Sequence, residues 1–344
     1  MRSFRCPRCD QLVFFENTEC LQCGTELGFV TERRSLIRFD DGTGLRRCAN
    51  LRLASCNWLV TGMDPGALCL SCRLTRMRPP DSDADAMLAF ADAEAAKRRV
   101  VFQMLELGLP LTSWIDEPGG LGYDLLSSRY EKVVTGHQDG IVTIDLAESD
   151  DPHRERVRQD MGEPYRTMLG HLRHETGHYY WAVLIEQTGW LARFRELFGD
   201  ERADYGKAME RHYAQGAPAG WEAQHVSAYA TMHPWEDWAE TFAHYLHIHD
   251  TLQTAAAFGM RIEHREEALS ACPAVDVDGE PFESIMADWL PLTYALNAVN
   301  RSMGRDDLYP FVLSPLVIDK LTWVHLVLTG HRQLLTSAFP LNEG

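Results

Sequence analysis

A chain of 344 residues is long enough for more than one domain, since domains usually span roughly 100–200 residues. Apolar residues make up 45% of the chain and charged residues 24%, which excludes a long disordered chain or a fibrous repeat. The net charge of −17 includes a basic excess in residues 1–78, where 12 arginines stand against 8 acidic residues. Because cysteine thiolates holding zinc would cancel that excess, we do not expect nucleic-acid binding.

The N-terminal residues contain no apolar segment of the kind found in signal peptides. No uninterrupted apolar run approaches the roughly 20 residues that span a bilayer. We therefore expect a cytoplasmic protein that does not contact a membrane, in which cysteines bind metal rather than form disulfides. Cys272 stands apart from the other cysteines and is expected to be a small buried hydrophobic residue.

Eight of the nine cysteines lie in the first 72 residues. Cys6, Cys9, Cys20 and Cys23 form two Cys-x-x-Cys pairs separated by ten residues, the spacing of a ribbon closed around one tetrahedral ion. A second possible set consists of Cys48, Cys56, Cys69 and Cys72. We favour zinc over iron in both sets, and a structural role, because four thiolates saturate the metal. Protein recognition is the favoured further role of this module.

Residues 78–83 have the composition of a linker, because consecutive prolines do not propagate a helix and the residues around them are polar turn formers. We therefore expect a ribbon module with two four-cysteine sites in residues 1–78. A catalytic domain is expected in residues 79–344.

Residues 84–107 are rich in alanine, glutamate and leucine and predict a helix, with Ser82 or Asp83 as its N-cap. Further along, β-branched runs at 133–134 and 141–144 flank a Gln-Asp-Gly turn. This pattern predicts an antiparallel hairpin.

The remaining sequence is mainly helical in its pattern. Proline at the first turn and the spacing of later stop signals predict helices over residues 164–187, 234–249, 283–303 and 315–329. Together with the hairpin, these helices predict an α+β protein: a zinc ribbon followed by a mainly helical domain with a small antiparallel sheet.

His174-Glu175-Thr176-Gly177-His178 is an H-E-x-x-H sequence on a predicted helix. The two imidazoles lie one turn apart on the same face and can bind one zinc ion. Glu175, next to the first histidine, is placed to remove a proton from water activated by that metal and to pass it to a leaving amine.

Catalytic zinc needs a third protein ligand and an open position for water. Glu236 and Glu240 lie four residues apart on the predicted helix 234–249 and therefore face the same way. We assign Glu236 as the third ligand. Glu240 is expected to accept a hydrogen bond from a ligating histidine and so to orient its ring.

Tyr229 precedes Glu236 by seven residues and is the candidate donor to the oxyanion of a tetrahedral intermediate, with core packing as its alternative role. His225 and His233 compete for that role. A different helix phase would make His233 or His244 a metal ligand instead. The histidines expected to be surface or packing residues are His247 and His249.

This arrangement resembles the gluzincin branch of zincin peptidases, in particular its lethal-factor-like members. More closely, the whole chain resembles the bacterial putative zinc-binding metallopeptidase family that carries an N-terminal zinc ribbon. The matching segments are Cys6-Pro7-Arg8-Cys9, Cys69-x-x-Cys72, Gly170 to Trp181, and His233-Pro234-Trp235-Glu236-Asp237. The resemblance implies a zincin-like fold and peptidase activity. It departs from familiar gluzincins in the 57 residues that separate His178 from Glu236.

In zincins an edge strand ahead of the metal helix commonly binds the substrate backbone by strand addition. Residues 141–147 occupy the corresponding place in this sequence, as an edge strand or a central one. Residues 190–220 form either a flap over the cleft or an ordinary surface excursion.

The function expected from these observations is hydrolysis of peptide or protein substrates, with one catalytic and two structural zinc ions. The first alternative is a catalytically silent zincin that docks a protein partner through its ribbon. Retention of Glu175 argues against it, because a purely structural site needs no base. A ribbon-type nucleic-acid factor is a third alternative, and failure to bind nucleic acid at modest salt would exclude it.

Overall fold

The computed structural model describes residues 2–40, 44–62, 64–129, 132–149, 167–266, 269–274 and 276–338. The chain divides into two compact units. Unit 1 comprises Met1–Met104, Leu111–Glu155 and Thr167–Leu172, and unit 2 comprises Leu105–Pro110, Arg156–Arg166 and Arg173–Gly344. Their helices and small sheets confirm the expected α+β class, although the four-stranded sheet is mixed and not antiparallel as expected.

Short antiparallel hairpins build the cysteine-rich part of unit 1. The strands are β1 (Phe4–Arg5), β2 (Leu12–Val13), β3 (Leu27–Val30), β4 (Ser35–Arg38), β5 (Leu45–Arg47) and β6 (Leu59–Thr61), paired in that order. One-turn helices α1 (Leu51–Ala54) and α2 (Leu70–Arg73) carry the chain between them. Strands this short bury too little apolar surface to be stable alone, so they need another source of stability.

An aromatic cluster forms the core beneath these hairpins. The ring centroids of Phe29 and Trp58 lie 4.7 Å apart, and those of Phe15 and Phe102 lie 5.0 Å apart. Phe102 belongs to α3 (Ala84–Glu106), the helix expected from the composition of this segment, with Asp83 as its cap. Helix α3 therefore packs against the ribbon, while a domain boundary at residues 78 and 79 stays a proposal.

Unit 1 also contains a sheet in the order β7-β8-β10-β9. Its strands are β7 (Thr75–Met77), β8 (Gly122–Leu126), β9 (Gly136–Gln138) and β10 (Ile141–Asp145). Strand β10 pairs in parallel with β8, Ile141 opposite Gly122, and antiparallel with β9. Asp139 and Gly140 both have positive φ, 49° and 85°, as a two-residue hairpin turn requires.

The hairpin expected around this turn is confirmed, although its first strand begins at Gly136 rather than Val133. Residues 133–134 lie outside the strand, and Val134 is exposed. Since β10 is bonded on both sides, the second of the two alternatives for residues 141–147 is confirmed: the strand is central and not an edge. Strand β9 occupies that edge of the sheet.

Unit 2 is helical. Helix α4 (Met168–Trp181), which belongs to unit 2 from Arg173 onward, continues into a π-helical turn at Ala182–Glu186. The helices that follow are α5 (Leu191–Phe198), α6 (Tyr205–Gln215), α7 (Pro234–Ala257), α8 (Phe282–Ser302) and α9 (Pro315–Ala338). Across the described residues, no helix combines the length and apolar character needed to cross a bilayer.

These helices begin close to the expected residues but differ in length. Helix α7 continues to Ala257 instead of ending near His249, because no glycine or proline interrupts it before Gly259. The expected start of the H-E-x-x-H helix at Pro164 lies outside the described residues. Cys272, expected to be buried, is exposed in the loop before α8.

Helices α4 and α7 approach each other closely at Gly177. A Cβ atom on Gly177 would lie 3.1 Å from the ring of Phe242 and 3.2 Å from the Cα of Ala239, so a larger residue would push the helices apart. The Trp238 indole donates a hydrogen bond to the Gly177 carbonyl at 2.8 Å. This contact brings the two helices together at the level of the H-E-x-x-H sequence.

Candidate metal centres

His174, His178 and Glu236 meet between α4 and α7. Each offers one ligand atom, and these atoms all lie within 4.8 Å of one another. Oε2 of Glu236 lies 3.0 Å from Nε2 of His174 and 3.5 Å from Nε2 of His178. The one-turn spacing on α4 and the first turn of α7 therefore bring together the three side chains that were expected to share a metal.

The spacing of these atoms suits zinc. Two ligand atoms, each about 2.1 Å from a tetrahedral zinc ion, lie about 3.4 Å apart. Nδ1 of His174 is engaged by Glu240, and its Nε2 faces the carboxylate oxygen of Glu236. In the neutral ring that a metal would bind, this Nε2 carries the lone pair. Two acceptors at this distance repel each other unless a proton or a metal cation lies between them.

Glu240 holds the other side of the His174 ring. Nδ1 of His174 donates to Oε1 of Glu240 at 2.6 Å. A hydrogen bond of this kind orients the ring of a metal-binding histidine. Burial by itself raises the pKa of Glu240, but the hydrogen bond from His174 lowers it to about 2. Glu240 is therefore a carboxylate acceptor at neutral pH.

Glu175 lies next to His174 on α4 and is buried. Burial raises the pKa of this carboxyl above its usual value, against the opposing charges of His174 and His178. A glutamate in such surroundings binds a proton more readily than a solvated one, which is a property required of a general base.

Tyr229 stands beside the first histidine, on a 3-10 turn ahead of α7. Its ring centroid lies 5.9 Å from that of His174. Burial and the negative charge of Glu236 raise the pKa of Tyr229, so its phenol stays protonated and able to donate.

Tyr205 also reaches this cluster and was not among the residues expected from the sequence. Its hydroxyl donates to Oε1 of Glu236 at 2.8 Å. Tyr205 begins α6, inside the long segment between His178 and Glu236, and no motif spacing relates it to either residue. Only its place at the start of a predictable helix, after the N-cap residue Asp204, could have drawn attention to it.

Residues 190–220, expected as a flap or a surface excursion, are mostly built into α5 and α6. The hydrogen bond from Tyr205 makes this segment part of the surroundings of Glu236.

The histidines considered as alternative ligands, His233 and His244, have other partners, as does His225, which was considered in place of Tyr229. His233 is the N-cap of α7: its Nδ1 accepts from the Trp235 amide at 3.2 Å, while Nε2 lies 3.1 Å from the Ala203 carbonyl. His244 is hydrogen-bonded to Tyr309 at 2.6 Å. His225 lies 3.7 Å from a carboxylate oxygen of Asp237. None of the three belongs to the ligand group found among the described residues.

His247 and His249, expected at the surface or in packing, lie on the next turns of α7. His247 is bonded through Nδ1 to Arg173 at 2.8 Å, and His249 is buried. Arg173 also forms an ion pair with Asp250 at 2.7 Å. These contacts link the residue preceding His174 to α7 and so support the alignment of the two helices.

The cysteines of unit 1 gather as the two expected sets, Cys6–Cys9–Cys20–Cys23 and Cys48–Cys56–Cys69–Cys72. The sulfurs of Cys6 and Cys23 lie 3.7 Å apart in the first set, and those of Cys56 and Cys69 lie 3.6 Å apart in the second. Four sulfurs about 2.3 Å from a tetrahedral zinc ion are spaced at about 3.8 Å. Both sets are therefore prepared for metal rather than for disulfides.

The second set is the more enclosed, since its four cysteines are all buried, whereas Cys9 is exposed. The amide of Cys69 donates to the sulfur of Cys48 at 3.3 Å. The buried carboxylate of Glu94 lies 3.7 Å from the sulfur of Cys72 and is paired with Lys97 at 2.6 Å. Lys97 thus offsets the charge of Glu94, which would otherwise add to the negative charge that four thiolates concentrate here.

Residues 86–327 match the family described as "Putative zinc-binding metallo-peptidase", and residues 3–83 match a zinc-ribbon domain. Uncharacterized proteins of Mycobacterium bovis and of Mycobacterium tuberculosis are each 52% identical over 329 residues. These alignments cover 95% of this chain and 95% of each relative. No solved structure matches the chain.

Proposed function

Because this chain belongs to the putative zinc-binding metallo-peptidase family, we propose that it is a zinc-dependent peptidase whose metal is held by His174, His178 and Glu236. The observation that carries the proposal is that the carboxylates of Glu240 and Glu236 lie on opposite sides of the His174 ring. Glu240 accepts from Nδ1, which leaves Nε2 as a ligand atom aimed at the same oxygen of Glu236 as His178. Three ligand atoms that converge beside a histidine oriented through its other nitrogen form the arrangement that a catalytic zinc requires.

In the proposed reaction, water attacks the carbonyl carbon of a peptide bond and the carbon–nitrogen bond then breaks. Zinc in this site would lower the pKa of water to about 7 and polarise the carbonyl. Glu175 takes one proton from the attacking water and delivers it to the leaving amine. Its raised pKa makes Glu175 a stronger base for the first half of that transfer.

The protonated phenol of Tyr229 is the proposed donor to the carbonyl oxygen as negative charge develops on it. A neutral donor beside the cluster stabilises that charge more in a buried site than in water. Glu240 acts through His174 and is a positioning residue, since it touches the ligand and not the substrate.

The two cysteine sets are proposed to hold one structural zinc ion each, with the ribbon module in residues 1–78 available to a protein partner. A cytoplasmic location and a peptide or protein substrate complete the proposal. Nucleic acid and membranes are not proposed as partners.

Metal content and cleavage, measured together, test the proposal. Mass spectrometry of the native protein should give three zinc ions per chain, and Glu236→Ala should give two. Glu175→Gln should retain all three zinc ions while cleavage of an unbiased peptide library falls by about 10²–10⁴-fold.

Each alternative predicts a different result. Three zinc ions without cleavage in the native protein would favour the silent scaffold that docks through its ribbon. An unchanged metal count in Glu236→Ala would exclude Glu236 as the third ligand.

A further inference from the structure

The two oxygens of Glu236 have different partners. Oε2 faces the two imidazoles, 3.0 Å from Nε2 of His174 and 3.5 Å from Nε2 of His178. Oε1 accepts a hydrogen bond from the hydroxyl of Tyr205 at 2.8 Å. Since Glu236 is buried, no bulk solvent competes for either oxygen.

Tyr205 is held in this position by its surroundings. Its ring packs against His233 and Trp235, with centroids 5.2 Å and 6.3 Å away. Helix α6 begins at Tyr205, and the carboxylate of Asp204 caps it by accepting from the Lys207 amide at 3.0 Å. The phenol is therefore presented to Glu236 from a fixed helix end rather than from a loose loop.

A carboxylate can bind a metal through one oxygen or through both. Binding through both oxygens would occupy a coordination position that a catalytic zinc must keep for water or substrate. A hydrogen bond to one oxygen biases the carboxylate toward binding through the other, as partners of metal ligands commonly do.

We propose that Tyr205 is a positioning residue that restricts Glu236 to metal binding through Oε2 alone. This inference rests on the proposed metal site at His174, His178 and Glu236. It gives the long segment between His178 and Glu236 a role at that site, because α6 supplies the hydroxyl that keeps one metal position open.

Tyr205→Phe tests this role, because it removes the hydroxyl and keeps the ring that packs on His233 and Trp235. Tyr213→Phe is the matched control: it removes the same atom from the same helix, at a side chain that is 63% exposed. The third metal site of each protein is emptied with a chelator while the cysteine sites keep zinc. It is then titrated with zinc against a competing indicator and, separately, with cobalt(II).

Cobalt(II) reports the number of ligands, since four-coordinate cobalt absorbs visible light more strongly than five-coordinate cobalt. Tyr205→Phe should absorb more weakly than the native protein, because both oxygens of Glu236 become available. Its zinc affinity at this site should fall by about 10-fold, the lower end of the loss seen when a partner of a metal ligand is removed. Tyr213→Phe should match the native protein in both measurements.

Two results would overturn the inference, and they differ. If the native protein takes up no third metal, the proposed metal site fails and the role of Tyr205 fails with it. If the native protein binds the metal but Tyr205→Phe gives the same cobalt spectrum and zinc affinity, the role of Tyr205 alone is excluded.

Discussion

The cysteine sets of unit 1 and the histidine–glutamate cluster of unit 2 arrive at metal-binding geometry by different routes. In unit 1 the candidate ligands lie on turns, on irregular segments and in one-turn helix α2, beside strands of two to four residues. In unit 2 they lie on helices of 14 and 24 residues that are packed through Gly177. We infer that metal holds the ribbon together, whereas packing holds the proposed ligands of the His174 cluster in place before metal binds.

The largest effect is expected from loss of a buried ribbon cysteine. Cys69→Ser should remove one zinc ion and unfold the ribbon, because structural zinc contributes about 10–16 kcal/mol in small zinc modules. Zinc content and near-UV circular dichroism, which reports the buried Trp58, provide the measurement. Cys272→Ser, at the exposed lone cysteine, is the control and should change neither. A folded ribbon in Cys69→Ser would contradict the proposal that the ribbon depends on metal for its stability while unit 2 does not.

A smaller loss of stability is expected when a buried ion pair of unit 2 is broken. Lys320 pairs with Asp237, next to Glu236, at 2.6 Å, and the two side chains are only 3% and 2% exposed. Lys320→Met should destabilise unit 2 by about 3–5 kcal/mol, since it leaves a buried carboxylate without its cation. The urea midpoint, followed by tryptophan fluorescence, measures this loss.

Lys207→Met is the control for that substitution, because it breaks an ion pair with Asp204 whose lysine is 81% exposed. Its urea midpoint should stay at the native value. Removing zinc from the His174 cluster with a chelator should likewise leave unit 2 folded. If chelation lowered the midpoint as far as Lys320→Met does, the site would depend on metal as the ribbon does.

The smallest effect concerns the orientation of one ligand. Glu240→Ala removes the acceptor from Nδ1 of His174 and should weaken zinc binding at this site by about 10–100-fold, with little change in stability. Zinc titration against a competing indicator measures the loss. Glu283→Ala, an exposed glutamate in the first turn of α8, should bind zinc as the native protein does. Equal affinity in Glu240→Ala would show that helix packing alone orients His174.

Much of this organisation was predictable because it depends on local chemistry. The spacing of His174 and His178 puts both rings on one helical face in any fold, and Cys-x-x-Cys pairs converge on one metal without a larger core. The family expected from these motifs is the one that the chain matches. The helix over residues 84–107 followed from composition and a cap, and the structure places it at Ala84–Glu106.

The features that escaped prediction depend on contacts distant in sequence. A strand's own residues do not show whether it has one neighbour or two, so the central place of β10 could not be read from Ile141 to Asp145. Cys272 was wrongly expected to be buried, because the burial of a residue depends on which distant segments of the chain cover it. The meeting of Tyr205 with Glu236 required α6 to fold back over 31 residues of chain, and no local pattern encodes that approach. Residue spacing thus determines which atoms can serve as ligands, and tertiary packing decides which other side chains hold them.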